Sequence, residues 1–299
     1  SGGFALSFYL QAPGGEQWVV RCFKVDSPDR RARYNAISRF LNAHPDPLLL
    51  DVDYYDQGIL VDGSWYPVVK MPLVRGVTLQ RYIEHELRQG RSIAHLSQKF
   101  RAAVRRLGQL GAAHGDLQHG NIMVQRGELV LVDYDGMYVP ELRGWPPAEI
   151  GSAAYQHPLR ADQFGPDLDR FSAIVIDLAL QALAVRPALW AKYNTGENLL
   201  FRRADFLEPQ ASALLRELEQ IPQFGAPARS LRAICQAPFE ATPRLEEVVP
   251  PLSSALAAQA LPGALTADHG DDIDAQLDRL YASWSPTVTN RPIPAAPVP

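Results

Sequence analysis

The feature that most restricts the fold is a change of hydrophobic period near residue 75. Before it, short runs of alternating apolar residues are separated by turn signals. Residues 4–10 and 17–24 flank Ala12-Pro13-Gly14-Gly15, and residues 51–60 and 64–73 flank Val61-Asp62-Gly63. Both are hairpin patterns. Between the pairs, residues 28–44 place Tyr34, Ile37, Phe40 and Leu41 at helical spacing. From Leu79 onward the pattern is helical, with one short β insertion over residues 122–133. The order predicts an α+β fold in which a small strand-rich lobe with one helix (1–75) precedes a larger helical lobe (76–250). A cleft between two such lobes is a common ligand site.

Composition narrows the function classes. Of 299 residues, 46% are apolar and 21% charged, which excludes a wholly disordered chain. The net charge of −4 gives no general pull toward nucleic acid or anionic lipid, and no apolar run reaches the ~18–20 residues of a membrane helix. Cys22 and Cys235 suit a reducing compartment, so a cytoplasmic protein is expected. Residues 271–284 carry Ile273, Leu277, Leu280 and Tyr281 on one helical stripe. Five prolines follow within residues 286–299, the pattern of an extended linker. Residues 251–299 are therefore expected to be a C-terminal helix and tether.

The chemistry concentrates at His114-Gly115-Asp116-Leu117-Gln118-His119-Gly120-Asn121, followed by the apolar strand Leu129-Val130-Leu131-Val132 and then Asp133-Tyr134-Asp135-Gly136. An Asp, an Asn five residues later and an Asp twelve residues after that sit on loops around a short hairpin. Phosphoryl transfer uses such a set. One carboxylate orients or deprotonates the attacking hydroxyl, while an amide oxygen and a second carboxylate hold Mg²⁺ against nucleotide phosphates.

These residues resemble the catalytic and metal-binding signatures of the protein-kinase-like superfamily. The resemblance covers roughly residues 1–250 and implies a bilobal kinase-like fold that binds ATP and Mg²⁺. It implies Asp116 as catalytic base and Asn121 and Asp133 as metal ligands, with Asp135 a rival to Asp133. Val19-Val20-Arg21-Cys22-Phe23-Lys24 resembles the family's lysine-bearing strand. Lys24 would reach the α- and β-phosphates, and Cys22, on the same strand face, would line the adenine pocket. Gly2 and Gly3 resemble the rear of the glycine-rich phosphate loop. On that reading the chain begins inside the loop, with its first strand upstream. Residues 68–79 resemble the last strand of the small lobe and the hinge, with Met71 as gatekeeper and the backbone of Pro72 and Val74 meeting adenine. Gly151-Ser152-Ala153-Ala154-Tyr155-Gln156-His157-Pro158 resembles the end of an activation segment. Asp169 matches an Asp that bonds back to the catalytic loop, although Asp167 or Asp169 also reads as a helix N-cap.

The pattern departs from the family at several positions. No glutamate lies between Glu16 and Glu84, so the helix at 28–44 lacks the usual partner for Lys24; Asn35 or Asp29 are possible substitutes. Gly115 and Gln118 stand where an arginine and a lysine are usual. Leu159 and Arg160 follow Pro158 in place of a glutamate. His119 and His157 read as polar contacts rather than metal ligands. The arrangement is most similar to divergent bacterial serine/threonine kinases tethered to a C-terminal helix-hairpin-helix or similar module. Those are often encoded near a phosphatase and a von Willebrand A-type protein, which the resemblance implies as partners. Two alternatives remain open: a pseudokinase that binds nucleotide without transfer, and a small-molecule phosphotransferase.

Overall fold

The computed structural model describes residues 5–23 and 29–253. Gly2, Gly3 and Lys24, and the helix and tether expected within residues 254–299, lie outside the described residues. The fold is mixed α+β, with an antiparallel sheet in the N-terminal part and helices after it. Strands β1 (Ala5–Gln11), β2 (Gln17–Phe23), β3 (Asp53–Val61) and β4 (Ser64–Pro72) form one sheet in the order β1-β2-β4-β3. Helix α1 (Arg30–Ala43) falls between β2 and β3 in the chain. The β3–β4 turn is the one its sequence signals. Asp62 and Gly63 have φ of +49° and +80°, the left-handed pair that matches a two-residue hairpin to the strand twist.

Strand register decides which side chains face the site. β2 pairs antiparallel with β4, Val19 opposite Met71, Arg21 opposite Val69 and Cys22 opposite Val68. Successive side chains alternate faces, so Val19, Arg21, Phe23, Val69 and Met71 share one face and Cys22 and Val68 the other. On the first face Phe23, Val69 and Met71 join Tyr34, Ile37, Phe40 and Leu41 of α1 in the main apolar core.

Beyond the sheet, β5 (Val77–Thr78), β6 (Ile122–Gln125) and β7 (Glu128–Leu131) make a second antiparallel sheet, order β5-β6-β7. Helices α2 (Leu79–Arg88) and α3 (Ala94–Gln109) separate β5 from β6. Helix α4 (Arg170–Val185) is mostly apolar and is buried from Phe171 to Ala184, with Ser172, Asp177 and Gln181 among its buried residues, as a central core helix must be. α5 (Ala188–Tyr193), α6 (Arg203–Leu207), α7 (Ala213–Glu219), α8 (Gly225–Ile234) and α9 (Leu245–Val248) complete the described helices. Of these α5, α8 and α9 pack on α4, as does α3. The core is continuous from Phe23 to Val249. No helix among the described residues is long and apolar enough to cross a membrane.

Candidate active site

The loop after α3 is held from two sides. Asp169, just before α4, accepts the backbone N–H of His114 at 2.5 Å and of Gly115 at 2.9 Å. It occupies the N-cap position of α4 but makes no side-chain cap bond, so its carboxylate serves the loop. From the other side the fully buried Arg160 donates through Nη1 to the carbonyl of Gly115 at 2.9 Å, the carbonyl of Ile150 at 2.6 Å and Gln156 Oε1 at 2.5 Å. Where the family resemblance expected a glutamate, an arginine fastens segment 150–160 to the loop.

Gly115 is the residue both clamps grip. Its φ is +80°, and a Cβ there would lie 1.9 Å from the carbonyl oxygen of Gly136. Both neighbours are backbone, so neither yields cheaply. Gly115→Ala is expected to cost about 1–3 kcal/mol from backbone strain alone. It should also separate the loop from Gly136, read as a lower melting temperature together with lost activity.

Asp116 is buried, and both of its carboxylate oxygens accept hydrogen bonds. Oδ1 accepts the N–H of Ser152 at 2.7 Å, and Oδ2 accepts Gln118 Nε2 at 2.7 Å and Asn121 Nδ2 at 2.9 Å. Asn121 Nδ2 also donates to the Asp116 carbonyl at 2.9 Å. The amide nitrogen of Asn121 is thereby committed to Asp116, which leaves Oδ1 as the end able to meet a cation. The Asn121 carbonyl accepts the N–H of Val132 at 3.0 Å, setting it beside the start of the Asp133 segment. Tyr134 pins that segment, its hydroxyl donating to the Leu131 carbonyl at 2.8 Å and accepting the N–H of Leu50 at 2.7 Å. Asp133 has φ +69°, a conformation uncommon for a non-glycine residue and frequent at functional sites.

A cation reaches this segment from the sheet. Arg21 of β2 places Nη1 on Asp133 Oδ1 and Nη2 on Asp135 Oδ2, the second at 2.9 Å. Asp135 Oδ1 accepts the hydroxyl of Tyr34 from α1. Burial opposes the Arg21 charge, but Asp133 and Asp135 outweigh it and raise its pKa. Burial, then the Asp135 charge, holds the Tyr34 phenol well above its usual range, so it stays a donor.

Glu149 senses the whole group. Crowding by protein, then the charges of Asp135, Asp133 and Asp116, push its carboxyl from 4.5 to about 7. The folded chain therefore binds this proton where the unfolded chain has lost it, and stability falls as pH rises from about 4.5 through 7. Glu149 is nevertheless an exposed residue by surface area, so solvent screening reduces the effect. Glu149→Gln is expected to flatten the fall in melting temperature between pH 5 and pH 8 and to leave the variant the more stable protein at pH 8.

The structure thus brings Asp116, Asn121 and Asp133 together and adds Asp135. Met71 is buried on the sheet face that carries Arg21, Pro72 ends β4, and Val74 is buried just beyond it. Cys22 is not brought to that face. It is buried on the opposite side of the sheet from Met71, because its register position is one residue out of phase with Arg21. Sequence reasoning missed Arg21, Tyr34 and Arg160. The signal for Arg21 was available in the alternation of Val19, Arg21 and Phe23, whereas nothing local marks Tyr34 or Arg160. His119 Nδ1 lies 2.5 Å from the Tyr155 hydroxyl, and burial lowers its pKa to about 4. His157 Nε2 lies 2.9 Å from the Ile234 carbonyl. Among the described residues no three His, Cys, Asp or Glu side chains converge to hold a metal by themselves. Two oxygens, from Asn121 and Asp133, fit Mg²⁺, which takes one or two protein carboxylates and completes its shell with phosphates and water. Neither a scan against protein-family models nor a search of curated proteins returns a match for this chain.

Proposed function

We propose that this chain is an ATP- and Mg²⁺-dependent serine/threonine protein kinase domain of divergent bacterial type, cytoplasmic and with a bilobal kinase-like fold. The observation that carries the reading is the convergence of Asp116, Asn121 and Asp133 at one place, on loops locked by Asp169 and Tyr134, beside a cation from the sheet. The strand order β1-β2-β4-β3 with α1 between β2 and β3 supports a small lobe lying over the helical part.

The chemistry follows from these residues. Asp116 accepts the proton of a serine or threonine hydroxyl. That oxygen bonds to the γ-phosphorus of ATP, the bond from phosphorus to the β–γ bridging oxygen breaks, and ADP leaves. Asn121 and Asp133 would hold Mg²⁺, which when bound neutralises charge on the phosphate oxygens. Gln118 and Asn121 orient the Asp116 carboxylate through Oδ2, and Ser152 N–H fixes Oδ1.

The test is transfer of labelled γ-phosphate to a protein mixture by wild type and by Asp116→Ala, with phosphoamino-acid analysis of the product. Phosphoserine or phosphothreonine made only by wild type supports the reading and excludes a small-molecule phosphotransferase. One observation favours a pseudokinase as second reading: Ser152 N–H lies on the carboxylate that a substrate hydroxyl must reach. Nucleotide-protected melting without any incorporation would select it.

A further inference from the structure

We propose that Arg21, rather than Lys24, is the phosphate-facing cation of this site, and that Asp135, held by Tyr34 of α1, is the carboxylate that positions it. The inference rests on the kinase reading above and names the unit that stands in for its missing helix glutamate. In a protein kinase the strand cation is oriented by a carboxylate from the helix that follows it. Here α1 reads Arg-Arg-Ala-Arg-Tyr-Asn-Ala-Ile-Ser-Arg-Phe-Leu-Asn-Ala and contains no acidic residue. It offers a donor instead, the hydroxyl of Tyr34.

The polarity is therefore reversed. Tyr34 donates its only proton to a carboxylate, and that carboxylate lies between it and the guanidinium. Asp135 is that carboxylate, one oxygen on Tyr34 and the other on Arg21 Nη2 at 2.9 Å. The chain of contacts runs from helix to Asp135 to strand, and the position of α1 fixes the direction of Arg21.

Each member is locked. Tyr34 is 4% exposed, stacked on Tyr54 with ring centroids 5.9 Å apart and tilted against Phe23 at 6.1 Å. Arg21 projects from the sheet face that also carries Val19 and Met71. Its two terminal nitrogens divide between Asp135 and Asp133. When Asp133 turns its oxygen to a cation, Nη1 is left for a phosphate oxygen while Nη2 stays on Asp135. Arginine suits this better than lysine because its planar fork presents two nitrogens in fixed directions. Asp133 and Asp135 also stop being rivals. Asp133, with φ +69° at the end of the β7 segment, is the metal-facing carboxylate, and Asp135 is the positioning one.

The test measures dissociation of a fluorescent ATP analogue with Mg²⁺ in parallel with steady-state phosphate transfer. The proteins are wild type, Arg21→Met, Arg21→Lys, Lys24→Met, Asp135→Asn and Tyr34→Phe, each checked by thermal melting. Loss of a charge-assisted phosphate contact predicts about 10–100-fold weaker nucleotide binding for Arg21→Met, a smaller loss for Arg21→Lys, and a smaller loss again for Lys24→Met. Tyr34→Phe, which removes one oxygen from a packed ring, should lower kcat by about 5–10-fold with a lesser change in nucleotide binding, as should Asp135→Asn, because both loosen the aim of Arg21 and not its charge. Binding weakened as much or more by Lys24→Met as by Arg21→Met overturns the proposal, and so does a Tyr34→Phe protein with wild-type kcat. Wild type that binds no Mg·ATP at all overturns the kinase reading itself, a result distinct from either of these.

Discussion

Asp177→Ala should destabilise the protein by about 3–5 kcal/mol, because it strands a buried guanidinium. Asp177 is fully buried within α4 and Arg101 of α3 is 5% exposed. Arg101 Nη1 donates to Asp177 Oδ2 at 2.6 Å and to the Val249 carbonyl at 2.9 Å. The same carboxylate accepts Ser97 Oγ at 2.6 Å and Gln181 Nε2 at 2.9 Å. Burial raises the Asp177 pKa, and the bonds from Ser97, Arg101 and Gln181 pull it back. Alanine removes the acceptor of three donors at once and leaves Arg101 charged in an apolar helix interface. For a domain of this size the melting temperature should fall by roughly 10 °C. Pairing the change with Arg101→Leu should recover much of the loss, since an apolar pair can replace a buried ion pair at little net cost. A single variant that melts within a degree or two of wild type would show that the network carries no stability. The consequence reaches the C-terminal end of the described chain, because Arg101 is what ties Val249 to α3.

Asp116→Ala should lower phosphate transfer by about 10²–10⁴-fold, the usual contribution of a positioned general base. A carboxylate has about four lone-pair positions, and three of those on Asp116 are occupied by Ser152, Gln118 and Asn121. One remains for a hydroxyl. Because Asp116 makes its bonds to Ser152, Gln118 and Asn121 and Arg21 makes its own to Asp133 and Asp135, the loss should fall on kcat, with the KM for ATP changed by only about 2–3-fold. Alanine also leaves three donors unpaired, so melting must be followed in parallel. A folded Asp116→Ala protein that transfers phosphate as fast as wild type would remove Asp116 from the mechanism. Equal loss in KM and kcat would place it in nucleotide binding instead.

Much of the fold was legible from local pattern. The second hairpin was written in Asp62-Gly63 and in the pattern of residues 51–60 and 64–73. α1 was visible in Tyr34, Ile37, Phe40 and Leu41. Asp116, Asn121 and Asp133 were legible because loop residues at fixed spacing around a short hairpin must come together once the hairpin closes. Asp169 was legible from the resemblance, and its two bonds to the His114–Gly115 backbone are present. Which face of β2 Cys22 takes was not legible, because a strand's two faces cannot be told apart from an alternation in which both carry apolar residues. Register against β4 decides it: Val19 lies opposite Met71, so Arg21 and not Cys22 faces the loops.

By itself, then, the sequence determined which segments become strands, helices and turns, and which chemical groups lie within one loop of each other. Those properties depend on backbone preference and on spacing of a few residues. Only the tertiary structure decided how a helix without any carboxylate takes part in the site. Tyr34 and Asp135 are 101 residues apart and Arg21 and Asp133 112 apart, and no local preference encodes such a meeting. It arises when the sheet, α1 and the β7 segment are packed on one core. There an arginine removed from water must find carboxylates, and a buried phenol must find an acceptor, because leaving either unpaired would cost more than the packing supplies.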